Sequence, residues 1–222
     1  SKGMVLNADE KIAKGEFRKD DLISETYDEI HSRKYIEAKD IDKYRVKRVR
    51  YLAWNTERCP DNLSRPTFRE LYDCPKLIMN CLGTINVTID VEEHFLHNHS
   101  IYCAILWKDL KGVNNKSISS SIKKFCKYTR TEMEALSSEV DLLYLLGVLN
   151  SSMAGKLLAD QRDGDYHIYL EHIRNQPIPL TTSKQQEEIA QLVRIIMDKT
   201  HDGKDSVTKQ QKVSQIVPTL YT

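Results

Sequence analysis

Residues 142–180 read LLYLLGVLNSSMAGKLLADQRDGDYHIYLEHIRNQPIPL, and the order of residue types in this stretch sets how the rest of the chain is read. Leu142, Leu145, Leu146 and Leu149 recur at helical spacing on one face, which predicts a core helix. Asn150 ends that helix, and Ser151 or Ser152 can cap the next, expected from Met153 to about Ala159. A polar loop over Gln161–His167 follows. Pro177 and Pro179 then forbid a helix, because proline lacks the N–H and crowds the preceding turn.

Downstream, Thr182-x-x-Gln185 and Ser183-x-x-Gln186 have the spacing of a capping box. The helix they open carries Ile189, Leu192, Val193 and Ile196 as an apolar stripe. Residues 198–209 read as a linker, and Val213–Leu220 as a last amphipathic piece that docks back. Upstream, Val46–Leu52 alternates apolar and basic residues as a half-buried strand does, with Lys47 and either Arg48 or Arg50 outward. Further strands are expected over Lys76–Leu82, Thr84–Asp90 and Ser100–Leu106. Residues 107–121 read as a polar loop, Ile122–Lys127 and Arg130–Ser138 as short helices, and the chain before Asp40 as short helices or irregular segments. The sum is an α+β chain: a mixed β-sheet domain over residues 1–180, followed by C-terminal helices over 181–222 that pack on it.

The chain has 222 residues, 40% of them hydrophobic and 29% charged, enough for one good core or two small ones. No apolar run is long enough to span a bilayer and no signal-peptide pattern opens the chain, so a cytoplasmic protein without a membrane partner is expected. Ser1-Lys2-Gly3 lacks an initiator Met, as in an excised piece. The five cysteines (Cys59, Cys74, Cys81, Cys103, Cys126) have no CxxC or metal-ligand spacing and are expected to be reduced thiols.

A net charge of +1 hides segregation. Residues 43–50 hold Lys43, Arg45, Lys47, Arg48 and Arg50 with no acid, a local +5. Residues 108–130 reach +6 through Lys108, Lys111, Lys116, Lys123, Lys124, Lys127 and Arg130 against Asp109. Separated basic runs suit a polyanion, since every neutralised phosphate releases a counterion; solvated faces are the plain alternative. Lys47, Arg48, Arg50, Lys116, Lys123, Lys124, Lys127 and Arg130 are the phosphate candidates.

Catalytic patterns are scarce. There is no GxG, hence no dinucleotide fingerprint and no phosphate-cradling glycine loop. His97-Asn98-His99 puts three polar residues side by side, where neighbouring side chains point apart and cannot share an ion. It is expected to be a polar turn entering the Ser100–Leu106 strand. Glu37-x-Lys39 has the form of half a metal-nuclease site, with Asp9, Asp20, Asp21 and Asp28 before it, but none of those lies in a recognisable strand. No catalytic or metal-binding residue is assigned.

The succession of leucine-rich helix, Leu149-Asn150-Ser151, variable loop and Pro177-Ile178-Pro179 resembles the TaqI-like C-terminal specificity domain of adenine-specific DNA methyltransferases and fused type II restriction-modification enzymes. Ile36–Tyr44, Pro75–Met79, Ile89-Asp90, Ser100-Ile101-Tyr102 and Val213–Tyr221 are similar to further motifs of that family, in the same order. The chain departs from the pattern at Glu37-Ala38-Lys39, at Pro218 and in an insertion over 107–139. The resemblance implies a reader of double-stranded DNA. It also implies that S-adenosylmethionine, and magnesium if the parent enzyme also cuts, belong to an N-terminal domain of the same polypeptide. The family's Asn/Asp-Pro-Pro-aromatic loop, which holds a flipped adenine, has no counterpart here because the chain has no Pro-Pro. This piece alone therefore has no cofactor and no expected catalysis.

Base reading needs side chains that reach a groove edge. Trp54, Asn55 and Arg58 offer a stacking ring, an amide suited to adenine and a guanidinium suited to guanine. Gln161, Arg162, Asp163, Asp165 and His167 fill the variable loop where the resemblance implies specificity, although Asp163-Gly164-Asp165 is equally a simple polar turn. Two other functions compete: a protein-interaction module of a multisubunit assembly, and a metal nuclease built on Glu37 and Lys39.

Overall fold

The computed structural model describes residues 1–6, 18–57, 59, 63, 68–124, 127–201 and 206–221. It is an α+β structure with small mixed sheets first and helices after. An antiparallel sheet in the order β7 (Val87–Asp90), β6 (Lys76–Asn80), β9 (Ile101–Ala104) lies at its centre. A second sheet has the order β1 (Ile23–Ser24), β5 (Arg50–Leu52), β2 (Arg33–Ile36), β8 (Leu96–His97), with β2 and β8 parallel. A small ribbon pairs β3 (Ile41–Asp42) with β4 (Arg45–Val46).

The central sheet is covered on both faces, which is why β6 reads as an apolar run without alternation. Successive side chains point to opposite faces, so Leu77 and Met79, with Tyr102 of β9, join one core, while Ile78 and Ile101 join another. The first and largest core is completed by helices. These are α4 (Leu142–Asn150), α7 (Ser183–His201) and α8 (Val207–Thr219), which contribute Tyr144, Leu146, Leu149, Ile189, Val193, Val213 and Val217. Between α4 and α7 the backbones approach so closely that a Cβ on Gly147 would lie 2.6 Å from Ile189 Cγ2. A second core, on the other side of the sheet, gathers Met4, Leu22, Tyr35, Leu52, Leu71, Tyr72 and Leu96. Cys59, Cys74, Cys81 and Cys103 are free thiols, and burial pushes Cys59 up to about 11. Among the described residues no single helix is long and apolar enough to cross a membrane.

The Leu-Asn-Ser motif is a structural joint. Asn150 caps neither helix with its side chain. Instead, its buried amide pairs with the edge strand β7, accepting from Val87 N at 3.0 Å and donating to Val87 O at 2.8 Å. Ser151 then accepts from Ala154 N at 3.2 Å and caps α5 (Ser152–Arg162). The helices over Leu142–Asn150 and Arg130–Ser138 (α3) have the bounds their sequence predicts, and residues 176–182 are non-helical as Pro177 and Pro179 require.

Other expectations need correction. The strand expected over Val46–Leu52 is two strands in different sheets, and its register turns Arg50 inward. Arg33–Ile36, in a segment expected to be short helices or irregular, is an inner strand of the second sheet, anchored by the fully buried Tyr35 and Ile36. The serine-rich part of the expected polar loop is helical: after the short α1 (Glu70–Asp73), α2 spans Lys116–Lys124, started by Asn115 Oδ1 accepting from Ile118 N at 3.0 Å and held by Ile118 and Ile122 on its inner side. The expected linker over 198–209 is largely helix at both ends, with residues 202–205 outside the described set. Finally, His97 is no polar turn. It is a strand residue with a fully buried ring, edge-on to Tyr72, and neither ring nitrogen has a hydrogen-bond partner among the described residues. Burial and the nearby Lys76 push its pKa down to about 3, so the ring is neutral.

Candidate nucleic-acid interface

The variable loop is fastened to the turn after β6. Ile168 N donates to Cys81 O at 2.9 Å, Gly83 N donates to Tyr166 O at 2.9 Å, and Arg162 Nη1 donates to Gly83 O at 2.5 Å. Gly83 has φ +71, and the Tyr166 hydroxyl packs where a Cβ would stand, so the turn suits glycine on both counts. A short helix, α6 (Leu170–Arg174), follows, and Tyr102 ties its approach by donating from its hydroxyl to Ile168 O at 2.8 Å. On this rigid mount Tyr166, His167 and Tyr169 project into solvent, the last two stacked with ring centres 6.0 Å apart.

Beside the loop, α2 and α6 form the walls of an open groove of about 680 Å³. Lys2, Lys116, Lys124 and Arg174 supply its charge, Ser117, Ser120 and Ser121 its hydroxyls, and Phe68, Leu71 and Leu170 an apolar floor. Glu171 of α6 links the two walls. Its carboxylate meets Lys124 Nζ at 3.4 Å from one wall and Arg174 Nη1 at 2.6 Å from the other. Against desolvation, which raises it, these two cations hold the Glu171 carboxyl below its ordinary value. The groove thus joins the basic insertion to the segment that follows the variable loop, two parts of the sequence that were singled out separately.

The candidates divide. Lys116 and Lys124 line the groove; Lys123 and Lys127 are exposed nearby in sequence, and neither meets a carboxylate among the described residues. Arg130 is not presented to a ligand: it pairs with Glu134 at 2.7 Å, donates to the carbonyls of Val113 and Leu110, and covers the Trp107 ring. Gln161 and Arg162, expected in the variable loop, are instead the last two residues of α5: Gln161 is exposed and shares hydrogen bonds with Gln176 and Asn175, whereas Arg162 is a structural tie to Gly83. Asp163 takes the left-handed position after α5 with φ +48 and is exposed. Asp165 is engaged by His167, accepting from its backbone N at 2.9 Å and approached by its ring Nδ1 at 3.3 Å. Of the other loop, Trp54 is packed edge-on against Tyr72 beside the second core rather than offered as a platform, Asn55 is exposed at φ +61, and Arg58 lies outside the described residues.

The first basic run is mostly engaged internally. Lys43 Nζ donates to the Asn150 carbonyl at 2.9 Å, at the end of α4. Arg45 reaches Asp42 and the Thr200 carbonyl, and Arg48 pairs with Glu25 at 2.6 Å. Arg50 is the buried centre of an ion cluster with Asp40 at 2.5 Å and Glu37 at 3.1 Å. Lys47 alone of the five has no such partner among the described residues. Glu37 also takes Lys19 and Lys39; burial raises its carboxyl, but the hydrogen bonds from Lys19, Lys39 and Arg50 outweigh that and hold it at about 2. A second ion pair, Lys76 with Asp90 at 2.6 Å, is fully buried in the central sheet. Among the described residues no three His, Cys, Asp or Glu side chains group as metal ligands do.

No known family model matches this sequence, and no curated protein is recognisably similar to it. The site therefore has to be read from its own chemistry. Sequence reasoning missed the aromatic ridge of Tyr166 and Tyr169 and the groove residues Lys2, Ser120 and Arg174. The one available signal was the i, i+4, i+8 spacing of Lys116, Ser120 and Lys124, which is invisible while the stretch is read as a loop.

Proposed function

We propose that this chain recognises double-stranded DNA as the specificity part of a bacterial adenine-specific DNA methyltransferase or fused restriction-modification enzyme. Methyl transfer, and any cleavage, would belong to a catalytic domain of the same polypeptide. The observation that carries the reading is the convergence of the basic helix Lys116–Lys124 with the helix Leu170–Arg174 in one groove, next to the pinned loop and its exposed rings. Lysines and hydroxyls suit phosphates, which give affinity without sequence information, while loop side chains on a rigid mount suit base edges, at about 1–3 kcal/mol of discrimination each. The resemblance described above supports the choice of enzyme class. Titration of a duplex at two salt concentrations tests the reading. Affinity that falls steeply with salt is expected, and absence of binding at low salt contradicts it.

One observation favours a protein-interaction module instead. Leu106, Trp107, Met133, Leu136 and Leu180 border an apolar groove of about 410 Å³, and Leu180 is 97% exposed. Apolar exposure of that kind suits a protein partner. Binding that ignores salt would count for this alternative.

A further inference from the structure

Glu171 lies between cations from opposite walls of the groove, and the carboxylate of an exposed side chain is a weak occupant of such a position. Its pair with Lys124 is on the open surface, where an ion pair is worth little, and on the other side Arg174 is half-buried and fixed in place. A phosphodiester oxygen carries the same charge and brings the rest of a polyanion with it. The wall on the Lys124 side has a matching periodicity. At about 100° per residue, Lys116, Ser120 and Lys124 lie along one line of α2, opposite Ile118 and Ile122, and each step climbs about 6 Å. Successive phosphates of one strand are separated by a similar distance. Lys123 lies at the margin, about 20° from Lys116 around the helix, and does not itself line the groove.

We infer that one sugar–phosphate strand runs along α2, with a phosphate between Lys124 and Arg174 in the position now held by the Glu171 carboxylate, and its neighbours at Ser120 and Lys116. Glu171 is then a resident competitor that nucleic acid displaces, and Leu170 and Phe68 on the floor face the sugars. The track reads the backbone and is indifferent to base sequence. This rests on the DNA-binding reading and specifies where one strand lies.

The test measures duplex affinity against salt for the full chain and for Lys116→Ala, Lys124→Ala, Lys123→Ala and Glu171→Gln. Each neutralised phosphate contributes about 0.9 to the slope of log K against log salt, so Lys116→Ala and Lys124→Ala should each flatten it by about one and Lys123→Ala, outside the groove lining, should flatten it by less than half as much. Glu171→Gln should tighten binding about two- to five-fold, the reverse of what loss of a merely structural pair would do. If a variant fails to fold, the Glu171→Gln arm still decides. Binding by the parent chain with unaltered slopes and no gain in Glu171→Gln overturns the track and leaves the DNA-binding reading standing. Equal competition by polyglutamate overturns the choice of phosphodiester, and no binding by the parent chain overturns both.

Discussion

Two basic stretches of nearly equal local charge have opposite fates. Over residues 43–50 four of the five cations turn to carboxylates or carbonyls of the chain itself, and Arg50 is buried with Glu37 and Asp40. Over residues 108–130 Arg130 is likewise held by Glu134 and two carbonyls, but Lys116, Lys123, Lys124 and Lys127 stay on the surface, and among the described residues Lys124 meets only Glu171. The first run joins parts of the fold, since Lys43 holds the end of α4 and Arg45 reaches Thr200. The second lines a groove. Charge density in a sequence therefore locates cations without saying whether they belong to the protein's interior or to a ligand.

The sharpest way to break this comparison is stability. Arg50→Ala leaves two acids without their buried partner and should cost about 3–5 kcal/mol in urea denaturation. Lys116→Ala should shift stability by no more than about 0.5 kcal/mol, as expected at an open surface. Equal losses in the two variants would erase the distinction.

Asn150→Ala ranks next. It strips the Val87 N–H of its buried partner, while Val87 O keeps the bond from Tyr44 N at 2.9 Å, and should cost on the order of 1–3 kcal/mol, by the same measurement. Gly147→Ala forces α4 and α7 apart and should cost a similar amount, about 1–3 kcal/mol. Either substitution leaves the groove cations in position, so affinity for DNA measured where the protein is folded should be unchanged.

Acid separates interior from surface in another way. His97 is neutral in the fold with a pKa of about 3, against 6.5 when exposed. Below pH 6.5 the unfolded chain takes up a proton that the folded chain does not. Stability is therefore complete above that pH and falls as acid is added, by about 1.4 kcal/mol per pH unit at the steepest. Glu37, held at about 2 rather than 4.5, adds its own loss only at lower pH. Urea midpoints between pH 7 and 5 should fall in the parent chain and stay level in His97→Gln. A fall of the same slope in His97→Gln would assign the effect elsewhere. The smallest expected effect is that of Lys47→Ala, which should change stability by no more than about 0.5 kcal/mol and leave the salt slope of DNA binding unaltered.

Much of the fold was legible because local chemistry fixes it. Ser151 caps α5 through Ala154 N, Thr182 and Gln185 exchange capping hydrogen bonds ahead of α7, and the leucine spacing of α4 has one reading. The interior of β6, β7 and β9 followed from runs of apolar and β-branched residues. What stayed hidden depends on distant partners. Arg33–Ile36 is too short and too charged to reveal itself as an inner strand, and Arg50 turns inward only because Glu37 and Asp40 await it. The serines before Ile122 look like a loop until Ile118 finds the core. The site was legible as a list of types, of which Lys116 and Lys124 line the groove, but Arg162, Asp165 and Trp54 are tied down by Gly83, His167 and Tyr72.

The account turns on which surface meets DNA, and amide hydrogen exchange with and without a duplex measures that directly. Exchange should slow over Lys116–Lys124 and Leu170–Arg174 and remain unaltered over residues 43–50. Protection over 43–50 with none along the groove would contradict it.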